Sequence, residues 1–295
     1  MKRLALFVLL GVSSHFAYAA CPAFESLKTA LNQQDWQQSA ALLPSIETSC
    51  NSHENTSAKN FYADVLAKAA NNLLNEQKIE PAEALLNKAP TVTWAVLSVR
   101  GDIAAERKQW LEASQFYGQA YDLLGDIKAK NSDEQQRLNQ QRQQLADLAE
   151  DAQLLYGKID STKNRDGLPQ GIRLVDRGFA PAQAVLPVHF DTNASTLNND
   201  GLASASVMAN FLKDKTNTSS VKVIGFADPR GTEAHNQTLS EQRAQTVADY
   251  LKRQGVNVTI ETLGKGETEP PKTNFHKLTE AEKLKRWRRV ELEVK

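Results

Sequence analysis

The stretch Gly225-Phe-Ala-Asp-Pro-Arg-Gly-Thr-Glu-Ala-His-Asn-Gln-Thr-Leu-Ser-Glu-Gln-Arg-Ala244 decides the reading of this chain. It follows an apolar run, Val221 to Ile224, and leads into a helical pattern that ends near Gly255. An acid, Asp228, therefore stands at the end of a strand, and a base, Arg243, inside the next helix. Such a pair suits a ligand that carries an ammonium and a carboxylate close together. Asp228 accepts from the ammonium, and Arg243 grips the carboxylate with two parallel bonds. On the residues alone, a plain ion pair joining strand to helix fits equally well.

Working outward, Val185–Phe190 predicts a buried strand followed by the turn Asp191-Thr-Asn-Ala-Ser195. Residues 199–213 predict a helix, with Leu202, Val207, Met208, Phe211 and Leu212 at helical spacing. Strands are expected at 221–225, 256–263 and 290–294, and helices at 239–254 and 279–285. Strands alternating with helices imply an α/β sandwich, a mixed sheet with helices on one face. Gly264-Lys-Gly-Glu-Thr-Glu-Pro270 and Arg288-Arg289-Val290-Glu291-Leu292 are two further motifs in the same segment.

In this order and spacing, these motifs resemble the OmpA-like peptidoglycan-binding domains, and the resemblance covers roughly Val185 to Lys295. It implies that the domain holds a diaminopimelate side chain of the bacterial cell wall. Asp228 and Arg243 take the two charges. Asn236, Arg289 and Asp191 are supporting candidates, Asn236 to fix the loop and Arg289 to neutralise a nearby carboxylate. The chain departs from the family pattern at Phe226, Ala227, His235 and Trp287, and the last of these bears on one wall of the pocket.

The first half is helical and repetitive. Residues 94–124 resemble a tetratricopeptide repeat, with Trp94, Leu97, Gly101, Ala104, Ala113, Tyr117 and Ala120 at the packing positions. Phe24–Ile46 and Tyr62–Ala89 carry the same outline more weakly; a plain antiparallel bundle is the alternative. Three helix pairs are expected, closed by a capping helix over 132–156 with a narrow apolar stripe. Asn71, Arg100 and Arg107 are candidate exposed contacts of this region for a partner protein of the envelope.

Lys2 and Arg3, the apolar Leu4–Val12 and the small-x-small Ala17-Tyr18-Ala19 have the layout of a secretory signal peptide. The expected organisation is a signal peptide at 1–19, an all-α tetratricopeptide-like domain at 20–156, a linker at 157–178 and the OmpA-like domain at 179–295. No later apolar run is long enough to span a bilayer. A periplasmic or outer-membrane-associated location follows. The two cysteines, Cys21 and Cys50, then form one disulfide. Lipidation of Cys21, which follows Tyr18-Ala19-Ala20, is the competing expectation.

The whole sequence has 35 basic and 35 acidic residues; without residues 1–19, 33 and 35 remain. A net charge of −2 gives no electrostatic case for nucleic acid. The five histidines show no metal-ligand spacing, no nucleophile is placed with a base, and no phosphate loop is present. No metal, no cofactor and no enzymatic activity are expected. The function read from the sequence is a non-catalytic adaptor between peptidoglycan and an envelope protein. The alternative is an assembly factor whose C-terminal domain docks or dimerises without binding peptidoglycan.

Overall fold

The computed structural model describes residues 21–158, 160–163, 169–170, 182–186, 188, 190–214, 218–269, 275 and 277–294. The expected signal peptide lies outside these residues. The helical half comprises α1 (Pro22–Asn32), α2 (Trp36–Ala41), α3 (Leu43–Ser49), α4 (Ser52–Asn75), α5 (Ile79–Leu86), α6 (Trp94–Glu106), α7 (Trp110–Gly125) and α8 (Ser132–Tyr156).

Three turns in this half share one backbone solution. Gln34, Gln77 and Lys108 are left-handed, with φ of 57°, 62° and 58°. At each, the amide of the left-handed residue bonds a carbonyl three residues back, and the next amide bonds one five back. The pairs are Gln34 N to Leu31 O and Asp35 N to Ala30 O, Gln77 N to Leu74 O and Lys78 N to Leu73 O, and Lys108 N to Ala105 O and Gln109 N to Ala104 O. This bonding satisfies carbonyls that a helix end leaves unpaired. The repeated turn is consistent with a helical repeat region.

The best-matched repeat, α6–α7, packs as its small residues suggest. A Cβ on Gly101 would sit 2.5 Å from the Tyr117 ring. Tyr117 is fully buried and donates its hydroxyl to Asp102 at 2.9 Å. α4 begins ten residues before the expected Tyr62, because Asn51 and Glu54 form a capping box. α8 covers the open side of α7 through Leu138, Leu145, Ala149 and Ala152. Asn71, expected to be exposed, is instead buried on the inner side of α4. Arg107 is committed to a bidentate bond with Glu83 at 2.9 and 2.7 Å.

Cys21 and Cys50 are joined in a disulfide with Cα atoms 5.4 Å apart. It ties the start of α1 to the end of α3. Within the segment expected to be a linker, β1 (Asp160–Lys163) and β2 (Pro169–Gln170) pair as an antiparallel ribbon.

The second half runs β3 (Ala182–Leu186), α9 (Asn199–Asp214), β4 (Ser220–Gly225), α10 (Glu233–Arg253), β5 (Thr259–Gly264), α11 (Glu280–Trp287) and β6 (Val290–Val294). The sheet order is β3-β6-β4-β5. β4 and β5 are parallel, while β6 is antiparallel to both β3 and β4. It is a mixed sheet, as expected. The first strand lies a few residues earlier than 185–190; Phe190 makes only an isolated bridge to Leu197. Val221, Val223, Val290 and Leu292 face a core completed by Met208 and Leu212 of α9 and Val247, Ala248 and Leu251 of α10.

α10 starts at Glu233, six residues before the expected Leu239, because the Thr232 side chain caps it. Its contact with the sheet depends on two glycines. Gly225 and Gly264 are register partners on β4 and β5. A Cβ on Gly225 would lie 2.1 Å from the Ser240 carbonyl, and one on Gly264 would lie 2.6 Å from the Glu241 amide. Those neighbours are backbone of α10, which cannot rotate away. Gly225→Ala is expected to destabilise this half by about 3 kcal/mol, the upper end for overpacking, read by denaturant unfolding.

α11 carries the second half onto the first. Its Arg286 pairs with Asp151 of α8, both side chains almost fully buried. Lys285 Nζ donates to the carbonyls of Leu155 and Tyr156 at 2.8 and 3.2 Å. Lys108 reaches Glu282 at 3.0 Å, and the Phe275 ring packs tilted against Trp110 with ring centroids 5.3 Å apart. Opening the disulfide should be felt locally in the first helices. Cys50→Ser is expected to lose about 3 to 4 kcal/mol on the chain-entropy account, with the first transition in a thermal melt moving down.

Candidate functional site

β4 delivers its last residues to a cleft. Beyond Gly225, pairing continues through Phe226 N to Arg289 O at 3.1 Å and Ala227 N to Gly266 O at 2.9 Å. Phe226 and Ala227 are fully buried, and this fixes the direction of Asp228, the next residue. Asp228 is itself buried, at 7 % exposure. The chain then turns through Gly231, at φ +110°, into the Thr232 cap of α10.

The cleft has a volume of about 350 Å³. One wall is Thr192 and Asn193, from the turn after Phe190; the other is Asp228, Arg230 and Gly231; His235, Asn236 and Leu239 of α10 close the end. The His235 ring Nε2 and Asn193 Oδ1 are 2.6 Å apart, which joins the first wall to the end.

Four donors converge on the Asp228 carboxylate. Arg230 gives its Nε at 2.7 Å, its Nη2 at 2.8 Å and its amide at 3.3 Å. Arg288, just beyond α11, gives Nη1 at 3.1 Å. Burial raises the carboxyl's pKa, but the bonds from Arg230 and Arg288 outweigh it, so the group lies below its ordinary 3.8.

Arg243 is buried at 1 % exposure and is not among the residues that line the cleft. It bonds three main-chain carbonyls rather than Asp228: Nε to Ala194 at 3.0 Å, Nη1 to Phe226 at 3.1 Å and Nη2 to Asp191 at 3.4 Å. Its guanidinium thus gathers the end of β4 and the 191–194 turn into one unit. Desolvation, helped by repulsion from Arg288 and opposed by Asp228, lowers its pKa to about 10. It remains charged at neutral pH, a buried cation whose own bonds go to neutral groups.

The other expected residues take separate places. Asn236 is buried and donates its Nδ2 to Glu267. Ser240 accepts from Gly266 N at 2.8 Å, so the 264–267 turn is fastened to α10. The Asp191 side chain is exposed and accepts from Asn198 at 3.3 Å, while its carbonyl holds Arg243. Arg289 is buried against the Phe226 ring, 3.7 Å from its centroid, and bonds Glu291 at 2.8 Å. Arg288 and Arg230, not singled out from the sequence, are the cations on Asp228. Both lie inside the quoted motifs; their positions two residues after the acid and first of the arginine pair were the available signal. Trp287 is not part of the cleft wall.

Residues 189–283 match the model of the OmpA family. This segment is an OmpA family domain. The chain is 37% identical over 131 residues to outer membrane protein A of Citrobacter freundii, across 39% of this chain and 55% of that protein. It is 36% identical over 115 residues to outer membrane protein A of Escherichia coli O157:H7, across 37% of this chain and 33% of that one. It therefore spans between a third and about half of the length of these relatives. The OmpA-like domain of FopA1 from Francisella tularensis subsp. tularensis SCHU S4 is 31% identical, with 42% of this chain and 81% of that chain covered and a TM-score of 0.33.

Among the described residues, Cys21, Cys50 and Glu54 are the one group close enough to share a metal ion, and its two sulfurs are in the disulfide. No described helix is long and apolar enough to cross a membrane.

The depressed Asp228 pKa gives the OmpA family domain a pH signature. A carboxyl lowered on folding contributes stability that is fully present above its unfolded value, near 3.8, and lost as pH falls through its lower folded value. The domain's unfolding midpoint is expected to drop more steeply below pH 3.8 in the parent than in Asp228→Asn, measured by denaturant melts at stepped pH.

Proposed function

We propose that this chain is a non-catalytic cell-envelope adaptor. Its OmpA family domain binds peptidoglycan at the Asp228 cleft, and its helical half binds a protein of the envelope. The observation that carries the reading is the charge arrangement. A buried carboxylate stands on one wall of the cleft, and a buried guanidinium, outside the lining, bonds the carbonyls of Phe226 and of the 191–194 turn that bears the opposite wall. A diaminopimelate residue in a stem peptide presents the complement, an ammonium and a carboxylate on one short side chain.

In this reading the ammonium goes to Asp228. The carboxylate goes to the Nη2 edge of Arg243, whose contact with Asp191 O is the longest of its three at 3.4 Å. Asn236, through Glu267, and Arg289, through Phe226, hold the surrounding turns in place. Asp191 lends its carbonyl and the turn it starts. Lysine-type stem peptides lack the second carboxylate and bind less well. The OmpA family match supports this assignment, and the basic and apolar start of the chain, together with the disulfide, supports export to the periplasmic side of the outer membrane.

One observation favours a second reading. The Asp228 carboxylate already holds four donors, as a purely structural group would. The domain would then be a docking or dimerisation module of an envelope assembly.

Co-sedimentation of residues 20–295 with diaminopimelate-type sacculi separates the two. The parent chain is expected to pellet. Asp228→Ala and Arg243→Ala should each lose about 2–5 kcal/mol of binding, because one ligand charge is left unpaired. Circular dichroism checks that each variant is folded. Parent-level pelleting by both folded variants, or none by the parent, sinks the peptidoglycan reading.

A further inference from the structure

We propose that Arg230 is a carboxylate receptor of the cleft: its outer edge takes the free C-terminal carboxylate of a stem peptide, and Asp228 holds the guanidinium in position for it. That the carboxylate belongs to a stem peptide rests on the peptidoglycan reading; the receptor itself does not.

The charged residues of the cleft lining are Asp228 and Arg230, with His235 as its other titratable group. The Asp228 side chain is held from two sides. Arg288, outside the lining and 16 % exposed, bonds Oδ2. Arg230, in the lining and 50 % exposed, bonds both oxygens. One carboxylate thus meets two guanidiniums, and the three groups sum to a single positive charge. The part of that charge open to the cleft is on Arg230.

Arg230 is also fixed in direction. Asp228 Oδ1 accepts from the Arg230 amide at 3.3 Å, a turn across Pro229, whose ring sets its own φ. The two oxygens of Asp228 then bind Nε and Nη2 at 2.7 and 2.8 Å and occupy one edge of the fork. The other edge, made of Nη1 and the second proton of Nη2, faces no strong acceptor. Nη1 has none among the described residues, and Nη2 meets Thr192 Oγ1 at 3.5 Å, the limit of a hydrogen bond.

Two parallel N–H groups on one guanidinium edge match the two oxygens of a carboxylate. The Thr192 hydroxyl, accepting from Nη2, keeps its own proton for the same anion. Because Asp228 already holds the side chain still, little rotamer freedom is lost when the anion arrives. A cross-link through the end of a stem peptide converts its carboxylate into a neutral amide. The cleft therefore favours stems whose end is free.

The test measures the affinity of residues 20–295 for a muropeptide whose diaminopimelate-containing stem ends in a free carboxylate, and for the same muropeptide with that end amidated. Both are measured in the parent and in Arg230→Gln. Amidation is expected to weaken binding to the parent about fivefold, the upper value for an exposed ion pair, and to leave binding to Arg230→Gln unchanged. Equal losses on amidation in the two proteins, or no loss in the parent, overturn the receptor. If the parent binds neither muropeptide, the peptidoglycan reading fails and acetate decides the receptor. The Arg230 Nε–H resonance of the parent is expected to shift saturably with sodium acetate and not with sodium chloride at equal ionic strength. Absence of an acetate-specific shift overturns it.

Discussion

The close approach of α10 to the ends of β4 and β5 is the constraint on which the second half depends. With Gly225 and Gly264 side by side, the helix lies on bare backbone at Ser240 and Glu241. That depth brings Arg243 under the end of β4, where its guanidinium meets the carbonyls of Phe226, Ala194 and Asp191. It also lets Ser240 hold Gly266 and Gln237 hold the Gly264 carbonyl. A helix one side chain farther out would leave these bonds unmade and the turns around Asp228 without a common support.

Arginines do much of the joining in this half. Arg243, Arg286 and Arg289 are all nearly inaccessible to solvent. Burying a guanidinium is unfavourable without compensating partners, and the three are held differently, with Arg286 Nε and Arg289 Nη1 left without a hydrogen bond among the described residues. Arg286 uses a carboxylate on α8, Arg289 a carboxylate and an aromatic face, and Arg243 main-chain carbonyls. The first joins the two halves, the second packs β6 against β4, and the third ties the end of β4 to the 191–194 turn. The planar fork of donors suits each role, and a lysine offers a single point of charge instead.

The mixed sheet, the helices on its face and the position of Asp228 were legible because they rest on local signals: a largely apolar run for β4, alternation in β6, spacing in α9, a motif around Asp228. The start of α10 was less so. Its first turns, Glu233 to Thr238, carry no apolar stripe, and the Thr232 cap alone marks them. The partner of Asp228 was hidden for a different reason. Which of Arg230, Arg243, Arg288 and Arg289 reaches the carboxylate depends on the depth of α10 and on where α11 docks, and both are tertiary facts. Asn71 misled because a polar residue on a helix ordinarily faces water, and here it is enclosed between α4 and its neighbours. In the helical half, the repeats share a turn held by main-chain bonds around Gln34, Gln77 and Lys108, so they resemble one another less in sequence than in backbone.

The sheet order has a consequence for how the protein is made. β6, residues 290–294, lies between β3 and β4, and it is the strand that hydrogen-bonds to both. During synthesis, β3, β4 and β5 leave the ribosome before the strand that unites them. The helical half, built from contacts near in sequence, is free to form early, whereas the sheet waits for a long-range closure late in the chain. Until then, the open edges of β3 and β4 are exposed to other chains. The interval before residues 290–294 arrive is therefore the period in which these strands are most open to pairing with the wrong neighbour.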